Sequence, residues 1–305
     1  MADVLSRGSL FPEELIPNLI NLVKGHSAIA ALAAQTPIAF NGQKEFTFTL
    51  DKDVDIVAEN GAKTKGGMTV APVTIVPIKF EYGARVSDEF RYGSDEIRLQ
   101  YLQAFSEGFA RKLARGLDIA AFHGLNPRTA AASAVVGANN FDSKVTANYV
   151  VYNTSSPTPD DDLDTVISAI RAADGEVTGI AMSPAFASQM AKVKVNGVVQ
   201  YPEFRFGQRP TGFAGLNLDV NTTVPVHASG ATQQDEAIVG DFRGAFKWGY
   251  AKQMPLEVIE YGNPDNDADL GDLKGHNQVY LRCEAYLGWG ILNPAAFGRV
   301  YTENP

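Results

Sequence analysis

Apolar and polar side chains alternate along residues 45–56, and the same alternation returns between Met68 and Tyr82. The apolar positions are Phe46, Phe48, Leu50, Val54 and Ile56 in the first run and Met68, Val70, Val76, Ile78, Phe80 and Tyr82 in the second. A period of two is typical of strands with one polar face. Glycines and lysines in residues 61–67 mark a turn, so the sequence predicts a long antiparallel ribbon. A two-stranded ribbon is only marginally stable in water, so its apolar face needs a further surface, from this chain or from a neighbouring copy.

A helical period dominates two other stretches. Pro12 opens an amphipathic stretch that can pack on its own fold or on a neighbour's, and its apolar positions are Leu15, Ile16, Leu19, Ile20 and Val23. The strongest helix begins at a Ser94 cap, carries two acids in its first turn and ends near Gly124. Its apolar stripe is Ile97, Tyr101, Phe105, Phe109, Leu113 and Leu117. At a rise of about 1.5 Å per residue, this helix spans about 40 Å.

Residues 125–160 are rich in Ala, Asn, Ser, Thr and Pro, and this break in composition separates the long helix from an α/β region. In that region a helix with the sequence DDLDTVISAIRAADG precedes the strand VTGIAMS, and Ser183 and Pro184 start another helix. Residues 197–215 predict a long surface loop. Strands follow in LNLDVNTTVP, DEAIVGDF, AFKWGYA and PLEVIEY, and residues 276–300 return to a β pattern.

Length and composition predict a globular chain with a substantial core. The chain has 305 residues, of which 45% are hydrophobic. Its formal net charge is −9 and its isoelectric point is near 5.0. These values argue against a primary nucleic-acid-binding role, because neutralising phosphates requires clustered Lys and Arg.

Cysteine and histidine usage excludes further classes of protein. Cys283 is the one cysteine, so no intrachain disulfide can form, and its apolar surroundings predict an inert core position. The four histidines, His26, His123, His227 and His276, stand alone, which predicts structural or surface roles and excludes a Cys/His zinc site. The N-terminus lacks the pattern of a signal peptide and no stretch has transmembrane length, so we expect synthesis in a reducing cytoplasm and no membrane partner.

Motifs for catalysis or cofactor binding are not evident in the sequence. GAKTKGG lacks the Gly-Lys-Ser/Thr ending of a phosphate-binding loop and lies between strands rather than before a helix. Asp265, Asp267 and Asp269 resemble the start of a calcium loop, but Leu270 stands where glycine is required and His276 where a bidentate Glu is expected. We therefore predict a solvated acidic loop, no metal, no cofactor and no catalytic residue.

The C-terminal sequence NQVYLRCEAYLGWGILNPAAFGRV carries the most specific pattern in the chain. Its characteristic positions are Asn277, Gln278, Arg282, Gly288, Asn293, Pro294, Ala296 and Phe297. Before it come EAIVGDFRGAFKWG, which has the form of a strand pair, and LNLDVNTTVP. Together with the order of arm, ribbon, long helix, α/β region and returning strands, this pattern resembles the major capsid protein of tailed double-stranded-DNA bacteriophages over nearly the whole chain.

The resemblance implies an α+β fold, the phage major capsid fold, with an N-terminal arm, an extended β-hairpin loop, a long spine helix, a peripheral domain and an α/β axial domain. The expected boundaries are 1–42 for the arm, 43–83 for the extended β-hairpin loop, 84–150 for the peripheral domain with its spine helix, 151–250 for the axial domain and 251–305 for strands that return to the peripheral domain.

The resemblance also implies a non-catalytic protein that self-assembles through hexamers and pentamers into the icosahedral head around phage DNA. In that family the extended loop lies across an adjacent subunit, which would cover the apolar face of the ribbon. We therefore expect inter-subunit contacts at Leu15, Leu19, Val23, Phe46, Val54, Ile56, Lys63, Lys65 and Val70. Some members crosslink a lysine of this loop to a neighbour, but here we expect Lys63 and Lys65 to be solvating charges without a covalent crosslink.

The implied partners are further copies of the chain, a portal and decoration proteins. A separate scaffolding protein is also expected, because the amphipathic arm starts within the first fifteen residues. The acidic chain should contact packaged DNA only weakly and non-specifically. We expect the protein in the virion capsid, assembled in the host cytoplasm. The alternatives are an encapsulin-like nanocompartment shell, which encloses a cargo enzyme, and a soluble α/β enzyme with a dispersed site.

Overall fold

A computed structural model describes residues 26–92 and 95–303 of the chain. The strands are β1 (Gln43–Leu50), β2 (Met68–Ile75), β3 (Ile78–Ser87), β4 (Asn148–Val151), β5 (Gly179–Met182), β6 (Lys194–Val195), β7 (Val198–Val199), β8 (Gly212–Phe213), β9 (Leu216–Val220), β10 (Gln233–Gly240), β11 (Phe246–Ile259), β12 (Gln278–Ile291) and β13 (Phe297–Glu303). The α-helices are α1 (Ala28–Leu32), α2 (Asp95–His123), α3 (Phe141–Lys144), α4 (Pro159–Ala172) and α5 (Pro184–Met190). Short 3₁₀ helices lie at Asp88–Tyr92, Pro202–Gly207, Lys274–His276 and Pro294–Ala296.

An antiparallel three-stranded sheet, in the order β11-β12-β3, supports the long helix α2. The pairing of β12 with β3 runs without interruption from Gln278 opposite Ser87 to Leu287 opposite Ile78. Leu113 of α2 and Leu281 of β12 are buried in one hydrophobic cluster, which fixes the helix to this sheet. Burial of such side chains contributes roughly 1.5–3 kcal/mol each.

A mixed six-stranded sheet, in the order β4-β13-β10-β5-β9-β8, forms the second unit of the fold. Helix α4 covers this sheet with an apolar face, as its period predicts, and Leu163, Val166 and Ile170 are buried there. Ser183 caps α5 by accepting a hydrogen bond from the amide of Phe186, which confirms the predicted helix start. Strand β13 pairs with β10 and β4 in this sheet, so the returning C-terminal segment contributes to both sheets.

The long helix follows its predicted span but not the whole of its predicted stripe. Gly124, with a φ of +66°, follows the last helical residue, a backbone conformation that glycine adopts without strain. The C-terminal part of the stripe, including Phe109 and Leu117, is buried. Ile97 and Tyr101 of the N-terminal part are exposed. The predicted Ser94 cap lies outside the described residues.

The segment that composition marks as a linker carries part of the core. Phe141 of α3 is fully buried, and its ring centroid lies 5.0–6.0 Å from those of Phe122, Phe242, Phe246 and Phe297. The sequence does not reveal this core residue, because the average composition of residues 125–160 is dominated by the polar residues around Phe141. The predicted loop at residues 197–215 likewise contains buried Phe204 and the short strands β7 and β8.

Strand β11 is continuous where the sequence predicts two strands. Pro255 falls between Met254 and Glu257, where the register with β12 shifts, and a register shift is a position at which a strand tolerates the missing N–H of proline. Together the two sheets and their helices confirm the predicted α+β class. In residues 26–92 and 95–303, no helix combines the length and the apolar character that a membrane span requires.

Candidate inter-subunit interface

The predicted ribbon exists as an antiparallel pair of β1 and β2, but it is shorter than the sequence suggests. The register runs from Gln43 opposite Ile75 to Leu50 opposite Met68. The return segment stops at Ile75, since Val76 and Pro77 interrupt the strand and the following β3 pairs with β12 instead. The strand pairing does not test the five domain boundaries given by the resemblance, and these remain a prediction.

The base of the β1–β2 hairpin is fixed to the three-stranded sheet. Ile75 is fully buried, and a β-carbon added at Gly290 of β12 would lie 2.8 Å from its side chain. Lys247 Nζ lies 2.6 Å from Glu45 Oε1, and this hydrogen bond lowers the pKa of the Glu45 carboxyl. The hairpin therefore projects from a firm base.

One face of the hairpin is apolar and is not covered by the described chain. Residues directly opposite each other share a face, so Phe46, Phe48 and Leu50 lie beside Pro72, Val70 and Met68. All of the large apolar side chains in this set are exposed. A contiguous apolar surface of this kind marks an interaction site in a soluble protein. Phe46 and Val70, two of the predicted contact residues, thus lie together on this face.

The tip, residues 51–67, contains no strand, which corrects the predicted extension of the ribbon through Val54 and Ile56. Asp51 closes the ladder, because its amide donates to the Gly67 carbonyl (3.2 Å) and its carboxylate accepts from the Gly67 amide (2.7 Å). The alternation at Val54 and Ile56 has no partner beyond this point, since the facing sequence VAENGAKTKGG is rich in glycine and charge. Both side chains are nevertheless almost fully exposed, at 95% and 97%.

Lys63 and Lys65 also lie in the tip and are exposed. They lie outside the strands, in the segment that the sequence assigns to the turn, and they are exposed to solvent as predicted. Three predicted contact residues of the arm, Leu15, Leu19 and Val23, lie outside the described residues.

The described chain begins beside the long helix. Asp118 of α2 accepts hydrogen bonds from the Ser27 hydroxyl, from the Ala28 amide at 2.8 Å and from the Thr223 hydroxyl at 2.8 Å. Burial raises the pKa of this carboxyl to about 6, and its hydrogen bonds oppose the shift. The start of α1 is thereby tied to α2.

A groove of about 700 Å³ runs beside the C-terminal half of α2. Apolar side chains line its floor and mainly cations its rim: Phe80, Phe109, Leu113 and Val136 below, and Lys112, Arg115, Arg128 and Lys79 above, the last of these paired with the one lining acid, Glu81. One cation is oriented by the chain itself, because Arg115 Nη1 donates to Thr222 Oγ1 at 3.2 Å. The groove could accept an apolar segment that carries acidic residues.

The acidic loop is largely exposed, but its carboxylates also have partners within the chain. The guanidinium of Arg85 donates to the Asp265 carboxylate, with Nε 2.8 Å from Oδ2, and this bond lowers the pKa of Asp265. The carboxylate of Asp267 instead accepts hydrogen bonds from the backbone amides of Asp269 and Leu270, as an aspartate in a turn commonly does. Asp265 is exposed, as the predicted solvated loop requires, but it also has a partner on a distant strand that the sequence does not indicate.

A cluster of buried charges that the sequence does not predict lies at the end of α2. His123 Nδ1 lies 3.1 Å from Asp142 Oδ2, and Arg299 binds both Asp142 (2.8 Å) and Asp235 (2.7 Å). The sequence contains one indication of this cluster, because Asp235 and Arg299 are charged residues within the mainly apolar strands DEAIVGDF and AAFGRV. His123, Asp142 and Asp235 have the types and spacing of metal ligands. We interpret them as ion pairs, because the guanidinium of Arg299 already binds both carboxylates.

The chain is similar to known proteins both in sequence and in fold. The phage capsid family matches residues 7–300. A solved structure from Mycobacterium phage Ogopogo is 31% identical, with a TM-score of 0.77 over 91% of this chain and 92% of that chain. One from Gordonia phage Cozz is 25% identical, with a TM-score of 0.74 over 92% and 87% of the two chains.

A more distant structure shares the fold alone. The capsid of a native GTA particle is 14% identical and has a TM-score of 0.63 over 90% of each chain. No curated protein matches the chain in sequence. The family match over almost the whole length and the likeness to solved phage structures agree with the fold described above. The chain belongs to the phage capsid family, as a tailed-phage major capsid protein that builds an icosahedral shell.

Proposed function

We propose that the β1–β2 hairpin of one subunit binds a neighbouring copy and that this contact joins the subunits of the shell into hexamers and pentamers. The observation that carries the proposal is the uncovered apolar surface of the hairpin, from Phe46 and Val70 on its face to Val54 and Ile56 at its tip. Burial of that surface on a second copy would stabilise the contact by the hydrophobic effect.

The groove beside α2 is the surface that we propose receives the hairpin. The tip carries four acids, Asp51, Asp53, Asp55 and Glu59, against three lysines, while the rim of the groove is mainly cationic and its floor is apolar. A projecting element that fits a recess elsewhere on the same chain makes a head-to-tail contact, which closes into a ring when the rotation permits. Many such contacts in one shell would add to a stable particle without a strong single pair.

Further features of the particle are proposed on the resemblance and the sequence pattern. Leu15, Leu19 and Val23 of the arm would add apolar contacts between subunits, and Lys63 and Lys65 would bind without a covalent crosslink. The protein would act without catalysis, and its assembly in the host cytoplasm would involve a scaffolding protein, a portal and decoration proteins. Its contact with packaged DNA would be weak and non-specific, as its net charge of −9 indicates.

Removal of the tip tests the proposal. A variant that lacks Lys52–Gly66 joins Asp51 to Gly67 as a two-residue Asp-Gly turn between the paired Leu50 and Met68, and it keeps the anchored base. We expect a subunit with an unchanged urea midpoint that forms neither rings nor shells in electron micrographs. Normal shells from this variant would refute the role of the hairpin. A ladder of multimers that survives boiling in denaturant would refute the non-covalent role of the lysines, and a K63R/K65R variant is its matched control.

A further inference from the structure

Four charged side chains from four separate elements meet at the junction of α2 and the six-stranded sheet. His123 ends α2, Asp142 lies in α3, Asp235 in β10 and Arg299 in β13. The side chains of His123, Asp235 and Arg299 are 2%, 0% and 5% exposed, whereas that of Asp142 is 35% exposed. We call this set the ionic junction.

The partners of His123 determine its protonation. Nε2 lies 3.1 Å from the backbone carbonyl of Thr223, and a carbonyl only accepts, so Nε2 carries a hydrogen. Nδ1 lies 3.1 Å from Asp142 Oδ2, and an ionised carboxylate also only accepts. Both ring nitrogens therefore donate, and a ring with two N–H groups is a cationic imidazolium.

With both carboxylates ionised, the charges of the ionic junction balance only in that state. Arg299 donates to Asp235 through Nε at 2.9 Å and lies 2.8 Å from Asp142, so one cation serves two anions. The imidazolium supplies the second positive charge. Loss of its proton would leave one uncompensated negative charge among buried groups, where water screens poorly and such a charge is costly.

We propose that His123 is held as an imidazolium at neutral pH and that the ionic junction is a pH-sensitive joint between the long helix and the six-stranded sheet. Helix α2 packs on the three-stranded sheet, whereas β10 and β13 belong to the other sheet. Both sheets also share one hydrophobic cluster, to which Ile238 of β10 and Phe297 of β13 contribute, so the proton on His123 adds a pH-dependent part to this connection.

The surrounding titratable groups do not supply another cation to His123. The Tyr301 ring lies under the Arg299 guanidinium, 5.5 Å away, and Asp118 contacts the Thr223 hydroxyl rather than the histidine. Lys144, on the same helix as Asp142, has a pKa lowered by burial. Among the described residues, His123 is therefore the group whose charge completes the balance.

The pH dependence has a definite sign. Burial lowers the pKa of His123, but the hydrogen bond to Asp142 and the charges of Asp142 and Asp235 outweigh it and raise the pKa above its ordinary value. A raised folded-state value gives stabilisation that is complete below the unfolded value, about 6.5, and is lost as pH rises through the folded value. Burial raises the pKa of Asp235 to about 7 against the pull of Arg299, so the ionisation of this carboxyl adds to the loss of stability as pH rises to about 7.

Nitrogen NMR tests the protonation directly. The full-length protein is labelled with ¹⁵N-histidine and studied by magic-angle spinning, and the H123N variant assigns the signals. We expect both His123 nitrogens to have the shifts of protonated nitrogen at pH 7.5. A signal from an unprotonated Nδ1 would overturn the proposal. A spectrum that changes on treatment with EDTA would place a metal ion where we place the proton, and would also overturn it.

Urea unfolding from pH 6 to 9 tests the joint. Above about pH 7, where Asp235 has ionised, the wild-type midpoint should continue to fall as pH rises, and H123Q should start lower and lack this fall. Each unit by which the pKa is raised corresponds to a tenfold change in the folding equilibrium constant. H227Q is the control, because His227 is outside the ionic junction and should follow the wild type. Parallel curves for wild type and H123Q would refute the joint, while the NMR result stands even if H123Q does not fold.

Discussion

The most informative perturbation of the hairpin is the double substitution Val54→Ser and Ile56→Ser. These two side chains are more exposed than any other large apolar side chain that the structure describes. Polar replacements remove little from the isolated subunit, because a substitution at an exposed site typically changes the free energy of unfolding by less than about 0.5 kcal/mol. Any larger effect must therefore arise when subunits meet.

The expected effect on assembly follows from the exposed fractions. Because both side chains are about 95% exposed or more, docking can bury nearly all of their surface. Full burial of a Val or Ile side chain contributes roughly 1.5–3 kcal/mol, and ordering each one costs about 0.5–1 kcal/mol. The net loss is about 1–5 kcal/mol per hairpin, which weakens a pairwise contact roughly 5- to 5,000-fold. The loss repeats at every contact of a ring.

The assay is static light scattering against protein concentration, with the urea midpoint of the subunit measured in parallel. We expect the concentration threshold for assembly to rise at least tenfold while the urea midpoint stays constant. A V195S/V198S variant is the matched control, since it replaces two exposed valines on the separate β6–β7 pair. An unchanged threshold in V54S/I56S would refute burial of the tip, and an equal rise in the control would refute its specificity.

Four further predictions concern the subunit itself. Phe141→Ala should lower the free energy of unfolding in urea by about 3–5 kcal/mol, because four other aromatic rings enclose this ring. Phe141→Leu should lower it less, and equal values for the two variants would contradict the packing. Gly249→Ala should cost at least about 1–3 kcal/mol by the same assay, because its β-carbon would lie 1.6 Å from the Thr36 carbonyl oxygen, and a neutral result would contradict that approach. Cys283 should resist iodoacetamide at neutral pH in mass spectra until denaturant is added, since burial raises the pKa of its thiol to about 12, and rapid labelling of the folded protein would contradict this. The pKa of Asp118 is raised to about 6, so the folded state binds the proton more tightly and the wild type should gain thermal stability relative to Asp118→Asn as pH falls from about 6 to about 4; parallel melting curves would contradict this sign.

Local periodicity was sufficient for much of the fold and for one face of the candidate interface. The period of two at Phe46 and Phe48 predicted a strand with an uncovered apolar face, and β1 has that face. The period near 3.6 from residue 94 onward predicted α2 and its end at Gly124. These features depend on neighbouring residues, so a single sequence reports them. The contact role of the hairpin residues stays a prediction.

Features that depend on distant partners were not predictable in this way. The pattern at Val54 and Ile56 continues that of β1, but a strand also needs a partner, and the facing residues cannot provide one. His123 looked isolated because Asp142, Asp235 and Arg299 approach it only through the folded topology. Asp265 looked solvated because Arg85 lies on a strand far away in the sequence. Periodicity contains no information on such pairs.

The central claim is that the hairpin of each subunit is buried on a neighbour in the shell. Cryo-electron microscopy of the assembled particle tests it most directly, at a resolution that shows side chains. The account predicts Val54 and Ile56 within about 4.5 Å of apolar atoms of an adjacent subunit, in the groove beside α2. A tip that folds back on its own subunit, or that stands free in solvent at every position of the shell, would contradict the claim.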